Sequence, residues 1–458
     1  MSHVGILCPA TMGHLNPMSL LGGELQHRGH RVTLFGIPEV QEKISWANLN
    51  FYEIGADDYP PGSLEPLYAK MGQLSGLDGL KFAIESSLKA TTMMFREATE
   101  AVAKADIDLL LIDQVTAAGG TIADYLELPF VSVCNALPLN QEPGIPPYFT
   151  HTRYQNSWQQ KLSNQAAHKI FNTLTRPVWQ LVASQRQQWH LSPYLNRNDA
   201  YSQLAQICQI PAALDFPRED LPPWFHYVGP MKQSPAKLST KASHKKIETC
   251  SIPDTHSDET LPAELLALGD KPLIYANLGT LQSRNIDVFR CIAHACLDID
   301  AQLVISLGNP KADTSKLDFP GSPLVYAFPP HQLLINHAHL VITHAGSTAV
   351  NCLSAGVPMV AIPITMDQPG MAARLAYVGA GEVVPLKKLS VSRLKTVIET
   401  VLLTTSYRDR ATEMAIEIQK SGGVSYAAEI VEQVLRTQRP AMKSEIQDNY
   451  LQAPTTKH

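Results

Sequence analysis

Two stretches put reactive side chains where apolar strands end. In "LVITHAGSTAVNCLSAGVPMVAIPITMDQPG" (340–370) a buried-strand pattern stops at His344. A small-residue turn follows through Gly346, and Ser347 or Thr348 can cap a helix that runs to Gly356. A helix start offers free N–H groups and the positive end of the dipole, which suits a phosphate, and His344 can add a donor. The second apolar run ends in Asp367-Gln368, a carboxylate and an amide able to bond sugar hydroxyls. Near the N-terminus "VGILC" gives way to "PATMGHLNP", which leaves His14 in the loop after the first strand. An imidazole with an ordinary pKa of ~6.5 in such a loop can take a proton from a hydroxyl near neutral pH.

Other strand ends supply further groups. "NLGT" (277–280) closes an apolar run with a hydroxyl, Thr280, and "FPPHQLL" (328–334) places an aromatic, Phe328, after another, where it can stack on a base. Together these residues suit a base, a diphosphate and a sugar. Neither GxGxxG nor GxxxxGK[ST] occurs, so the usual dinucleotide and P-loop readings lack their fingerprints. The seven cysteines are scattered, without the paired spacing of a zinc site, and fit a reducing compartment.

Such residues need strands that deliver them to one edge of a sheet. "DLLLID" (108–113), "PFVSVC" (129–134), "LIYANLG" (273–279), "QLVISLG" (302–308), "PLVYAF" (323–328), "LVIT" (340–343) and "MVAIP" (359–363) are continuous apolar runs, several separated by helical patterns. This alternation predicts parallel sheets covered on both faces, in two doubly wound α/β domains. "NPMSLLGGELQHRGH" predicts a helix with Asn16 as N-cap, Pro17 at its first position and Gly29 at its end. At 458 residues, 45% apolar and 17% charged, the chain is long enough for two such cores. A net charge of -5 argues against nucleic acid as a partner. The start "MSHVGILCPATMGH" lacks a basic n-region and a long apolar run, so no signal peptide is expected, and no stretch approaches the ~20 apolar residues of a membrane span.

The order "FPPHQLL…ITHAG…GVPMVAIP…DQPG" resembles the nucleotide-sugar signature of the family 1 glycosyltransferases. The likeness spans nearly the whole chain. Segments 128–146, 203–219 and 225–230 and "NLGTLQ" (277–282) are similar to the bacterial zeaxanthin glucosyltransferases within that family. The resemblance implies the GT-B fold, two Rossmann-like domains facing a cleft, and an inverting transfer of glucose from UDP-glucose to a lipophilic acceptor such as a carotenoid. Another lipophilic acceptor (sterol, macrolide or flavonoid) is the alternative, and a non-catalytic nucleotide-binding protein a third. UDP-glucose is then a co-substrate, with no cofactor or metal.

By the same resemblance His14 is the catalytic base and Asp113 its partner. Phe328 stacks on uracil, and His331 stands where the family has a glutamine near the base. Thr280, His344, Gly346, Ser347 and Thr348 contact the diphosphate, and Asp367 and Gln368 hold the sugar. The stretch from His344 to Pro358 is one residue shorter than the family motif, so the ribose contact falls on Asn351 or Cys352, with Asn351 preferred because an amide can bond a diol. The implied organisation is an acceptor-binding domain over 1–231, a linker over 232–260 and a nucleotide-sugar domain over 261–424. A helix over 425–440, able to cross back to the first domain, and a flexible tail over 441–458 complete it. A cytoplasmic location follows. Aromatic residues within 60–100 and 140–195, with Lys169, Arg176 and Arg186, point to peripheral membrane contact.

Overall fold

The continuous apolar runs become central strands of two all-parallel sheets. The computed structural model describes residues 1–74, 76–232, 263–266, 271–280 and 285–444. The first sheet holds β1 (His3–Leu7), β2 (Arg31–Gly36), β3 (Asn50–Glu53), β4 (Leu109–Asp113), β5 (Phe130–Cys134), β6 (Ala205–Cys208) and β7 (Phe225–Tyr227), in the order β3-β2-β1-β4-β5-β6-β7. The second holds β8 (Leu273–Asn277), β9 (Gln302–Ser306), β10 (Leu324–Tyr326), β11 (Leu340–Thr343), β12 (Met359–Ala361) and β13 (Gly381–Val383), in the order β10-β9-β8-β11-β12-β13. The expected pair of doubly wound domains is present. β3, β6, β7 and β13 add to the strands that the apolar runs mark. Each has only three or four residues, too few for periodicity to signal.

In both sheets the chain moves outward in one direction from its first strand and then returns to the other side of it. This makes a crevice at the carboxyl ends of β1 and β4, and another at β8 and β11, where ligands bind in open α/β sheets. Register keeps the paired ends level: Leu7 lies opposite Ile112, and Thr343 opposite Asn277. The strands are anchored by side chains with no exposure, among them Val4, Ile6, Leu34 and Leu111 in the first core and Ile274, Ile342 and Val360 in the second. Each such burial contributes ~1.5–3 kcal/mol.

The first helix departs from expectation. It runs Met12–His27, with Thr11 as N-cap and Pro17 inside it. Asn16 does not cap; its side-chain oxygen is buried without a hydrogen-bond partner among the described residues. The helix begins a turn early because Leu15 and Met18 are drawn fully into the core, and Thr11 accepts from the N–H groups of His14 and Leu15. His14 thus stands in the first helical turn and not in a free loop.

The last helix, Gly423–Thr437, packs on the first domain. Tyr426, Ala427, Ile430, Val431 and Val434 join its core, while Arg28 bonds Glu429, Glu432 and Ser425. The beginning of the expected tail is held as well. Ala441 is buried, gives its N–H to Leu204 and accepts from the His226 ring, and Lys443 N–H bonds Pro223. Residues 445–458, and the expected linker beyond Lys232, lie outside the described residues.

A buried ion pair joins the two halves. Arg374, on the helix Gln368–Val378, donates to Asp215 Oδ1 at 2.7 Å. Asp215 Oδ2 also accepts from Arg218 at 3.0 Å and from the Tyr227 hydroxyl at 2.7 Å, and Arg218 reaches Glu142 at 2.8 Å. The Arg374 guanidinium lies 4.3 Å from the Phe216 ring centre. Burial alone would raise the Asp215 pKa, but the charges of Arg374 and Arg218 and the Tyr227 hydroxyl overcome it, bringing it from 3.8 to about 2. A carboxylate pKa depressed by folding gives stability that is complete above its unfolded value and lost as pH falls through the folded one.

Breaking a buried pair while leaving one charge in place costs ~3–5 kcal/mol. Asp215→Asn is therefore expected to lower unfolding stability at pH 7 by about that amount, read from urea denaturation. The gap from wild type is expected to close as pH falls from 3.8 toward 2. A gap that persists unchanged at the low end contradicts the assignment.

Candidate active site

His14 and Asp113 leave neighbouring strands at the first crevice and meet there. The imidazole donates through Nδ1 to Asp113 Oδ2 at 2.6 Å. Asp113 is almost fully buried and is fixed by two further donors: Asn135 Nδ2 on the same oxygen at 2.6 Å and the Val115 N–H on Oδ1 at 3.0 Å. Such a carboxylate sets the tautomer, leaving Nε2 as the basic nitrogen. The His14 side chain keeps 22% exposure, so that nitrogen stays accessible. Burial disfavours the imidazolium, but the charge and hydrogen bond of Asp113, with a smaller contribution from Asp367, outweigh it and raise the His14 pKa above 6.5.

That influence of Asp367 places a residue of the second domain within electrostatic reach of His14. Asp367 precedes the helix Gln368–Val378; burial raises its pKa, while its own backbone N–H, His14 and Arg374 pull the other way. Met366, just before it, has φ 58°, left-handed backbone that a non-glycine residue adopts only under constraint. The constraint is visible: the Gln368 side-chain oxygen accepts the N–H groups of both Ile364 and Thr365 at 2.9 Å. Gln368 is buried, and only its amide NH2 remains to donate to a ligand. Two residues on, Gly370 sits so close to the first domain that a Cβ there would lie 2.1 Å from the Tyr148 carbonyl oxygen.

At the second crevice His344 follows β11 and is buried. Its ring fills the space that side chains at Gly279 and Gly346 would need, since a Cβ on either would come within 2.7 and 2.4 Å of it. Ala345, between His344 and Gly346, has φ 62°. The helix that follows runs Ser347–Ser354 with Gly346 as N-cap, so neither Ser347 nor Thr348 caps it. Both are instead the first helical residues, Ser347 exposed and Thr348 buried. Their hydroxyls were expected to finish the helix start, but the turn that accommodates His344 sets the start one residue earlier.

Asn351 is partly exposed one turn beyond Ser347, whereas Cys352 is wholly buried in the core. Of the two ribose alternatives only Asn351 has a side chain at the surface. Thr280 is exposed beyond β8, and Phe328 is 43% exposed beyond β10. His331 is turned toward Tyr275, its Nδ1 2.9 Å from the hydroxyl. Burial lowers the pKa of His331 to about 4, helped by Lys232, and that of His344 to about 4, helped by His331. Both rings are neutral at pH 7, so His344 can donate one N–H but carries no charge.

Four residues, Asn135, Arg374, Asp215 and Tyr68, were not singled out from the sequence. Asn135 follows β5 at the same sheet edge and was open to the rule that found Asp113. Arg374 and Asp215 are 159 positions apart and carry no local signal. Tyr68, expected only as one of several aromatics, bonds the carbonyl of Ala10 in the approach to His14 at 2.6 Å. Of the cations expected at a membrane-facing surface, Arg186 is instead buried against Asp124 at 2.6 Å, while Lys169 and Arg176 are exposed. Phe95 and Met93-Met94 belong to the core, where a π-helical turn runs Met94–Ala98.

Comparison with known proteins gives a consistent set of relatives. The family model for UDP-glucoronosyl and UDP-glucosyl transferase matches residues 84–420. A zeaxanthin glucosyltransferase of Pantoea ananas is 31% identical over 96% of this chain and 98% of its own length, and one of Pseudescherichia vulneris is 29% identical over 95% and 98%. Among solved structures the glycotransferase of kitacinnamycin matches with a TM-score of 0.70 at 16% identity, covering 95% of this chain and 99% of that one. The calicheamicin glycosyltransferase CalG4 matches with 0.67 at 18%, covering 96% and 100%. Both structures share the fold.

The raised pKa of His14 is directly measurable. A ring-proton NMR titration is expected to give a midpoint above 6.5 in the wild type and below 6.5 in Asp113→Asn, where burial acts unopposed by the carboxylate. An unchanged midpoint in the variant would show that the 2.6 Å contact does not govern the imidazole.

Proposed function

Because the chain belongs to the UDP-glucoronosyl and UDP-glucosyl transferase family, we propose that it transfers glucose from UDP-glucose to a hydroxyl of a lipophilic acceptor, zeaxanthin or a similar carotenoid. The observation that supports this reading most directly is the His14–Asp113 pair held within electrostatic reach of Asp367 from the opposite domain. His14 Nε2 takes the acceptor proton as the hydroxyl oxygen attacks the anomeric carbon, and the C–O bond to UDP breaks on the far side with inversion. Asp113 stabilises the imidazolium that forms. Asp367 and the Gln368 NH2 hold sugar hydroxyls. The N–H groups at Ser347 and Thr348, with His344 and Thr280, receive the charge that develops on the departing diphosphate. Phe328 stacks on uracil, and Asn351 bonds the ribose. No metal is assigned a role.

The likeness to the two zeaxanthin glucosyltransferases supports the acceptor, and the test is transfer itself. Purified protein with UDP-glucose is expected to add hexose to zeaxanthin, read by mass, in preference to UDP-galactose and to sterol, macrolide or flavonoid acceptors. General base catalysis is worth ~10²–10⁴-fold. His14→Ala should therefore lose at least ~100-fold in turnover with UDP binding nearly intact. Transfer to none of these acceptors, or an active His14→Ala enzyme, refutes the reading.

The donor half has its own test. His344→Ala removes a hydrogen bond to a charged group, worth ~1.5–3 kcal/mol, or roughly 10- to 150-fold in UDP affinity, and should leave uridine binding unchanged. Phe328→Ala should weaken uridine and UDP alike, since stacking acts on the base. Calorimetric titration of both ligands into both variants checks this. Equal loss of uridine and UDP in His344→Ala would mean that the ring only supports the turn.

A further inference from the structure

The chain is acidic overall, yet from Pro143 to Asn198 it contains no Asp or Glu, while holding Arg153, Lys161, Lys169, Arg176, Arg186 and Arg197. Folding sorts these cations. Arg186 is buried against Asp124, and Arg197 packs over the rings of Phe171 and Trp179. Arg153, Lys169 and Arg176 stay exposed, and Lys161 is paired with Glu219 at 3.3 Å. The helix that carries Lys161 and Lys169 also bears an apolar stripe. On the helix Trp158–Leu174, Trp158, Leu162, Ile170 and Leu174 follow a four-residue step and are 69%, 56%, 62% and 42% exposed. Beside the stripe, Lys169 and Arg176 border a hollow of about 430 Å³ that also includes Gln165, Asn172 and Glu142, whose carboxylate is taken up by Arg218 at 2.8 Å.

We propose that this face docks on an anionic phospholipid surface, with the stripe entering the interface and Lys169 and Arg176 taking headgroup phosphates at the hollow. An interfacial helix combines these features: bulky apolar side chains on one face, flanked by lysine and arginine. The charge favours lipid over a second copy of the chain, because a two-fold contact would set Lys169 and Arg176, which have no acidic partner among the described residues, against their own copies. The inner side of the helix adds a consequence that rests on the reading of the acceptor as lipophilic. Phe171 stacks on Phe149 at 4.5 Å, and Phe149 touches Tyr148, whose backbone abuts Gly370 beyond the Asp367-Gln368 turn. Aromatic contacts thus lead from the docking face to the cleft, where a lipophilic acceptor leaving the bilayer would arrive.

Binding of the full chain to vesicles, without substrate, tests docking independently of transfer. Flotation with phosphatidylglycerol–phosphatidylcholine vesicles is expected to recover the protein, with recovery falling as salt rises. Pure phosphatidylcholine should bind at least tenfold more weakly. Leu162→Glu with Ile170→Glu should reduce binding to the anionic vesicles by at least tenfold. Lys169→Gln and Arg176→Gln, which leave the apolar stripe intact, should each reduce it about fivefold, equivalent to ~1 kcal/mol per cation. No binding, equal binding to both vesicle types, or variants that bind like wild type would overturn the proposal. A wild-type dimer that becomes monomeric in the Leu162→Glu, Ile170→Glu protein would overturn it in favour of self-association.

Discussion

The relation between the two halves of the molecule depends on the Arg374–Asp215 contact. Each sheet brings its own set of groups to its own crevice, and neither set is complete alone. Arg374 lies on the helix that begins at Gln368, and Asp215 lies between β6 and β7 of the other domain. Their bond therefore fixes Asp367 and Gln368 relative to His14 through less than two turns of rigid helix. Desolvating both charges is expensive, and the expense is offset here by the number of partners: Arg218, Tyr227, the Phe216 ring and the carbonyl of Gly370 all contribute. A looser apolar contact would hold the domains together but would not define their angle as sharply.

The two crevices use opposite electrostatic strategies. At the first, a buried carboxylate raises the proton affinity of an imidazole, so that the ring can hold a full charge. At the second, a buried and a half-buried histidine are kept neutral, and what the crevice offers is a set of dipoles: the helix start at Ser347, an imidazole N–H and a hydroxyl. Dipoles arranged by backbone need a rigid backbone. The left-handed Ala345 helps aim those groups, and the glycines around His344 allow the ring to lie against the main chain.

Much of this was legible in the sequence because local pattern and tertiary role coincide. Strands such as Leu109–Asp113 and Leu340–Thr343 are continuous apolar runs because they are buried on both faces, and the polar residue that stops each run is the one delivered to the crevice. Where tertiary forces override local signals, the reading fails. Pro17 marks a helix start by preference, but Leu15 and Met18 pull the preceding turn into the helix. Gln368 reads as a ligand group, and the use of its oxygen to staple Ile364 and Thr365 becomes visible only once the loop is folded. The Arg374–Asp215 pair could not be read at all, because an arginine and an aspartate far apart in sequence look like solvated surface charge.

The final helix, Gly423–Thr437, has a consequence for how the protein is made. Its apolar face packs on the helix Met12–His27 and on β6 in the first domain's core, although every residue of the second domain separates it from them in the chain. As the polypeptide leaves the ribosome, the first domain emerges early but stays short of Tyr426, Ile430, Val431 and Val434 until translation is nearly finished. Its apolar surface near Arg28 waits uncovered throughout synthesis of the second domain. The same dependence limits recombination between relatives: a gene exchanged at the junction between the domains pairs each first domain with a foreign closing helix, and only a swap that carries this last segment along with the N-terminal half preserves the core it belongs to.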